Sequence, residues 1–131
     1  MVRYLQFLVI IFFSIQISNT VTAQTIELTC EPEGKINSEI TFTINYEKKE
    51  ILYMSKKILN RDPQFTGYHY KIRQLSKEHL TAYEPRDKNS VGTSTLVINR
   101  VSGHYALATI GNYKRNTPHP LTILAEQGFC E

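Results

Sequence analysis

The chain contains only two cysteines, Cys30 and Cys130, and their pairing would restrict the fold more than any other feature of the sequence. A disulfide requires the two Cα atoms to lie within about 7 Å of each other. The edge strands of an open eight-stranded sheet would be roughly 34 Å apart, because neighbouring strands are about 4.8 Å apart. A bond therefore requires the sheet to curl until its first and last strands meet, as in a barrel. In a two-sheet sandwich the terminal strands can also meet.

Residues 1–23 have the layout of a secretory signal peptide. Arg3 is the only charged residue before Glu27, residues 7–15 are almost entirely apolar, and residues 21–23 are small enough for a signal peptidase. The apolar run has about half of the roughly 20 residues that a membrane span needs, so a cleaved signal is favoured over a retained anchor. We predict a single β domain over residues 24–131, a secreted or periplasmic location, and no stable membrane insertion after cleavage.

Export places both cysteines in an oxidising compartment, where a disulfide is the expected state. A separation of 100 residues is unlike the C-x-x-C spacing of redox enzymes. The four histidines share no short ligand spacing with one another or with the cysteines. The sequence therefore predicts a structural disulfide, with no metal site and no cofactor.

Apolar and polar residues alternate with a period of two after residue 24, which is typical of antiparallel strands with one buried face. The two clearest apolar faces are formed by Phe42, Ile44 and Tyr46 and by Tyr68, Tyr70 and Ile72. The last strand, around residues 121–126, alternates less cleanly. The pattern predicts an all-β protein.

Turn residues divide this pattern into eight predicted strands, near residues 25–31, 39–46, 50–56, 67–75, 79–84, 93–100, 104–110 and 120–130. Short connections at 47–49, 76–78 and 100–103 require antiparallel neighbours. Only residues 56–61 could form a helical turn. We predict an antiparallel up-and-down meander of about eight strands, curled into a small barrel, with a two-sheet β-sandwich as the alternative.

The segment Asn99-Arg100-Val101-Ser102-Gly103 follows Gly92-Thr93-Ser94-Thr95 and precedes a last strand that ends in Gly128-Phe129-Cys130. In these features the chain resembles small exported bacterial β-meander proteins of unknown function, which share an Asn/Asp-Arg-x-Ser/Thr-Gly hairpin before a terminal cysteine. The resemblance implies an all-β meander and an exported location. It implies no activity, because the family offers none.

The same hairpin has a physical explanation in its residues. The Asn99 side chain can accept hydrogen bonds from backbone N–H groups two or three residues later. Gly103 can adopt the left-handed conformation that ends such a turn. We therefore interpret Asn99 and Gly103 as structural turn residues and Arg100 as a candidate surface residue.

The sequence lacks the patterns of common catalytic sites, and we predict that the protein is not an enzyme. It has no G-x-S-x-G elbow and no glycine-rich phosphate loop, since its six glycines are scattered. Glu84 and Asp87 lie near one loop, but this spacing alone does not indicate a pair of catalytic carboxylates.

Basic residues supply the candidate binding sites. His69, Lys71 and Arg73 share one strand face, and Lys114 and Arg115 lie in a proline-containing loop. Together with Arg100 they could contact an exported protein or an anionic surface. Nucleic acid is not expected, because the chain has a formal net charge of only +3 and no aromatic residues share the basic face.

Two functions are consistent with these observations. The first is a protein-binding module, such as an inhibitor of an exported enzyme, acting through the loops 85–92 and 111–120. The alternative is a carrier that holds a small apolar or amphiphilic molecule inside the barrel, since an eight-stranded barrel can hold one small ligand. The large inward residues favour the first function, because they would fill the interior.

Overall fold

The structure is a computed structural model that describes residues 24–85, 92–112 and 121–131. These residues form strands β1 (Thr25–Pro32), β2 (Ile40–Asn45), β3 (Glu50–Ser55), β4 (Tyr68–Leu75), β5 (His79–Tyr83), β6 (Gly92–Asn99), β7 (His104–Asn112) and β8 (Leu121–Cys130), with helix α1 (Lys56–Arg61) after β3. The predicted strand bounds agree with these to within two residues.

The strands form a closed barrel in chain order, and every neighbouring pair is antiparallel. The predicted up-and-down meander is therefore confirmed, and the sandwich alternative does not occur. The first and last strands meet as the cysteine argument requires. Cys30 and Cys130 are bonded and lie directly opposite each other, with their Cα atoms 3.9 Å apart.

The seam between β1 and β8 is short but well bonded. The two strands pair only over residues 30–32 of β1. Thr29 and Glu131 exchange two backbone hydrogen bonds of 3.0 and 2.8 Å, and the Glu33 N–H donates to the Gln127 carbonyl at 2.8 Å. Closure hides two strand edges that would otherwise offer unpaired backbone groups to other chains.

The up-and-down order gives the barrel two unlike ends. One end carries the start of β1 and the tight turns at 46–49, 76–78 and 100–103, and we call it the hairpin end. The other end carries the connections from β1 to β2 and from β3 to β4, including α1, and we call it the loop end. Helix α1 is capped by Ser55, whose Oγ accepts a hydrogen bond from the Ile58 N–H at 3.4 Å.

Large side chains fill the barrel interior. The fully buried group includes Phe42, Ile44, Ile51, Leu80, Leu96, Ile98 and Tyr105. Phe42 packs against Tyr53 and Tyr105, with ring centroids 5.6 and 5.3 Å apart. Aromatic pairs in this distance range contribute about 0.5–1.5 kcal/mol beyond their buried area.

Strand β8 presents its less apolar side to the interior. Gly128 is buried and the Glu126 side chain is only 16% exposed, whereas Ile123 is 70% exposed and Ala125 is exposed on the outer surface. The register explains this, because Cys130 must point toward Cys30, and residues two and four positions earlier share its face. The uneven alternation of this strand is the consequence.

Candidate functional site

The basic residues of β4 lie on the outer surface of the barrel. His69, Lys71 and Arg73 are exposed and point away from the core, as predicted. Lys71 lies opposite Glu50 in the β3–β4 ladder, and the Arg73 guanidinium carbon lies 5.0 Å from the centre of the Tyr83 ring. A neighbouring carboxylate therefore reduces the positive potential of this strand.

The predicted basic residues do not all come together in one described surface. Arg100 lies in the turn at the hairpin end and bonds the Ser76 carbonyl, whereas His69, Lys71 and Arg73 lie on the outer face of β4. Lys114 and Arg115, the loop segments 86–91 and 113–120, and the predicted signal peptide 1–23 lie outside the described residues.

The turn at 100–103 has the predicted chemistry. The Asn99 side-chain oxygen accepts hydrogen bonds from the N–H groups of Val101 and Ser102, at 2.9 and 3.0 Å. Gly103 has a φ of +76°, and its N–H donates to the Asn99 carbonyl at 3.0 Å. A side chain at position 103 would also approach the Cys130 carbonyl oxygen, so the turn is tied to the end of β8.

Arg100 connects three elements at the hairpin end. Its guanidinium donates to the Ser76 carbonyl in the β4–β5 turn, and its backbone N–H donates to the Glu78 carbonyl at 2.7 Å. Its guanidinium carbon also lies 5.6 Å from the centre of the Tyr46 ring. Neither a carbonyl nor an aromatic ring neutralises a full positive charge.

A cleft of about 400 Å³ opens beside Arg100. It lies where β1 extends beyond the part that pairs with β8, so the turn at 100–103 faces β1 across a gap. Its apolar lining is formed by Ile26, Leu28, Ile44, Tyr46, Leu80 and Ile98. Among the described residues that line the cleft, Arg100 is the only charged one.

A carboxylate lies among aromatic hydroxyl groups inside the barrel. Glu126 accepts a hydrogen bond of 3.2 Å from the Tyr105 hydroxyl and forms a 2.7 Å ion pair with Lys35. Burial raises the pKa of Tyr105 and Tyr53 well above the usual value of 10.0, and the negative charge of Glu126 raises both further. The hydrogen bond from Tyr105 and the ion pair with Lys35 give the Glu126 carboxylate the partners that it needs on the inner face of β8.

We expect the protein to lose stability above about pH 10, where an unfolded tyrosine begins to ionise. Because the folded-state pKa of Tyr105 is raised, the folded protein keeps this proton at a pH at which the unfolded chain releases it. Unfolding is therefore increasingly favoured as the pH rises. The free energy of unfolding, measured by urea denaturation, should fall less between pH 8 and pH 11 in Tyr105→Phe than in the wild type. Tyr83→Phe, which removes an outward hydroxyl, is the control, and an equal change in both variants would contradict this explanation.

The outer side of β6, β7 and β8 lacks charged residues. None of its described outward positions is Asp, Glu, Lys or Arg; the same holds for β2 and β5, whereas β1, β3 and β4 carry such residues on their outer side. We call this surface the uncharged face and define it by Thr95, Val97, Ala106, Ala108, Ile110, Ile123, Ala125 and Phe129. Ile110, Ile123 and Phe129 are 46%, 70% and 46% exposed.

The ladder arranges the uncharged face into rows across the strands. Thr95, Ala108 and Ala125 form one row, and Ile110 pairs with Ile123 in the next row toward the loop end. Toward the hairpin end, His104 and Phe129 lie side by side, with their ring centroids 3.6 Å apart. The small side chains form the floor of a shallow groove of about 460 Å³ between these larger groups.

Sequence reasoning missed this face, the inward Glu126 and the cleft beside Arg100. One signal in the sequence could have shown which side of β8 faces inward. A bonded Cys130 must point into the barrel, so the even-numbered residues of β8, including Glu126, share the inner side. The groups of the face belong to three strands, so no single segment shows them.

Among the described residues, no cluster of His, Cys, Asp and Glu could hold a metal ion, and no helix is long and apolar enough to cross a bilayer. Comparisons of the chain with models of protein families, with curated proteins and with solved structures find no match.

Proposed function

We propose that the protein is an exported binding module that docks a partner protein on its uncharged face. The observation that carries this proposal is the combination of exposed aliphatic and aromatic side chains with an absence of charged residues from the described outer positions of three adjacent strands. Contiguous exposed apolar patches on soluble proteins commonly mark interaction sites. Interface cores are also depleted of charged residues.

The shape of the face indicates the chemistry of the partner. The floor of Ala106, Ala108 and Ala125 lets another chain approach the sheet closely, and Ile123 offers an aliphatic anchor at its edge. Glu126 and Gln127 also line the groove, and Gln127 donates to the Glu33 carboxylate, so a partner that placed a negative charge on this floor would lose hydration without gaining an opposite charge. The partner surface is therefore itself apolar and without negative charge at its centre.

The filled interior supports surface binding over transport of a ligand at the barrel centre. Phe42, Tyr53 and Tyr105 are buried inside the barrel, and Phe42 packs against both tyrosine rings. No catalytic role is part of this proposal. The basic residues of β4 lie on another side of the barrel and are not required for docking.

Export is the second part of the proposal. The disulfide is compatible with an extracellular or otherwise oxidising compartment. Residues 1–23 have the sequence of a cleavable signal, so the functional protein is proposed to begin at Gln24 in a secreted or periplasmic location. The intact mass of the exported protein tests this, since a full-length mass would indicate a retained anchor.

The test is photo-crosslinking in the cells that produce the protein. Benzoylphenylalanine is placed at position 108, in the floor of the uncharged face, and in a matched control at position 71 on β4. We expect one discrete adduct with another exported protein from position 108 and none from position 71. An excess of unlabelled wild-type protein should suppress this adduct by competing for the partner. An equal excess of the unlabelled Ala108→Glu variant should not.

Each other result overturns the proposal. An adduct only from position 71 would transfer binding to the basic strand. An adduct of twice the mass of the protein would indicate self-association instead of a separate partner. No adduct from either position would leave the uncharged face without a docking role.

A further inference from the structure

We infer that the cleft beside Arg100 is a second binding site, which takes a small amphiphile with an anionic head group and a linear acyl chain. This site goes beyond the proposed docking function, because it lies at the hairpin end and shares no residue with the uncharged face. A test of amphiphile binding in the cleft therefore succeeds or fails independently of the test for a protein partner.

The cleft arises from the stagger of the barrel. Strand β8 pairs with β1 only from Cys30 toward the loop end, so the segment of β1 that contains Ile26 and Leu28 has no ladder partner on that side. Ile44, Leu80 and Ile98 lie at the base of the opening and are almost completely covered, so the partly exposed Ile26 and Leu28 of β1 form its accessible apolar wall. A volume of about 400 Å³ is within the range of small-molecule sites.

The lining determines the chemistry of the occupant. The β1 wall is aliphatic and suits a hydrocarbon chain, whereas the turn at 100–103 gives the opposite rim polar groups, among them Asn99 and Ser102, that suit a head group. The rim contains Arg100, and no carboxylate of the described residues forms an ion pair with it. An anionic group at the rim would therefore gain a charge-assisted hydrogen bond without displacing an existing ion pair.

Arg100 is held in place before a ligand arrives. Its hydrogen bond to the Ser76 carbonyl and its position over the Tyr46 ring restrict the side chain on two sides. A guanidinium has five N–H groups, and donation to one carbonyl leaves others for a carboxylate. Restriction of this kind lowers the entropy cost of binding. Tyr46 also contributes its ring to the cleft wall.

Octanoate is the probe, with octanol as the uncharged comparison. Titration of the exported protein followed by methyl NMR should shift the signals of Ile26, Leu28 and Ile98 and leave that of Ile40, at the loop end, unchanged. Isothermal titration should show octanoate binding more tightly than octanol. Arg100→Gln should weaken octanoate binding about tenfold or more, the usual scale for a lost charge-assisted hydrogen bond.

Two further variants separate recognition from structural damage. Arg73→Gln removes a similar charge on the outer surface of β4 and should leave binding unchanged. Arg100→Lys keeps the charge and should retain more octanoate affinity than Arg100→Gln. Equal affinity for octanol and octanoate, equal weakening by Arg73→Gln, or methyl shifts outside the cleft would each overturn the proposal, as would a complete lack of shifts in the wild type.

Discussion

Replacing both cysteines, as Cys30→Ala together with Cys130→Ala, should lower the free energy of unfolding by up to about 4.7 kcal/mol. This is the chain-entropy value for a loop of about 100 residues, and the two cysteines are separated by 100. The unbonded chain gains conformational freedom in the unfolded state, and the short β1–β8 seam must then hold the barrel closed alone. Urea denaturation of the double variant and the wild type measures the difference.

Wild-type protein treated with a reducing agent is the control for this experiment, because it keeps both sulfur atoms and loses only the bond. Its stability should fall by a similar amount. Hydrogen exchange gives a local readout, since the N–H groups of Thr29, Glu33 and Glu131 bond across the seam and should exchange faster without the disulfide. Unchanged stability in both forms would show that the ladder and the core close the barrel without the bond.

The closed barrel could be predicted because several local signals agree with one long-range requirement. Alternation placed Phe42, Ile44 and Tyr70 on the inner side, and short turns determined the antiparallel order. The positions of the two cysteines then required the first and last strands to meet. Agreement between local and global signals is what gives a sequence a single favoured fold.

The inner side of β8 could not be predicted from local hydropathy. Glu126 would be costly inside the barrel without partners. Its partners are Tyr105 and Lys35, which are 21 and 91 residues away in the sequence. A carboxylate with such distant partners cannot be distinguished from a solvent-exposed one until the register is known.

The candidate sites depend even more on register. The uncharged face combines residues of β6, β7 and β8, and its groove exists only because Ala108 lies beside Thr95 and Ala125. The cleft depends on the stagger between β1 and β8, which no segment encodes alone. By contrast, the turn from Asn99 to Gly103 is local, and its hydrogen bonds follow from the residues within it.

Gly128→Ala should destabilise the protein by about 3 kcal/mol, the upper part of the range for overpacking in a core. Gly128 is buried on β8, between β1 and β7. A Cβ atom there would overlap the Glu31 carbonyl oxygen and lie 2.8 Å from Cε1 of Tyr105. The Glu31 backbone cannot move aside as a flexible side chain would, because it belongs to the strand that closes the barrel. The free energy of unfolding in urea is the measurement.

Gly34→Ala is the matched control for this prediction. Gly34 has a φ of +70°, but an added Cβ would meet no atom within 4 Å. Its replacement should therefore cost only the left-handed backbone penalty of roughly 1–2 kcal/mol. A larger loss at position 128 would identify the close approach of β8 to β1 as the cause, because Gly128 does not need a positive φ. If Gly128→Ala and Gly34→Ala cost the same, the seam must be able to widen, and closure of the barrel would depend on the disulfide more than on close packing of the two strands.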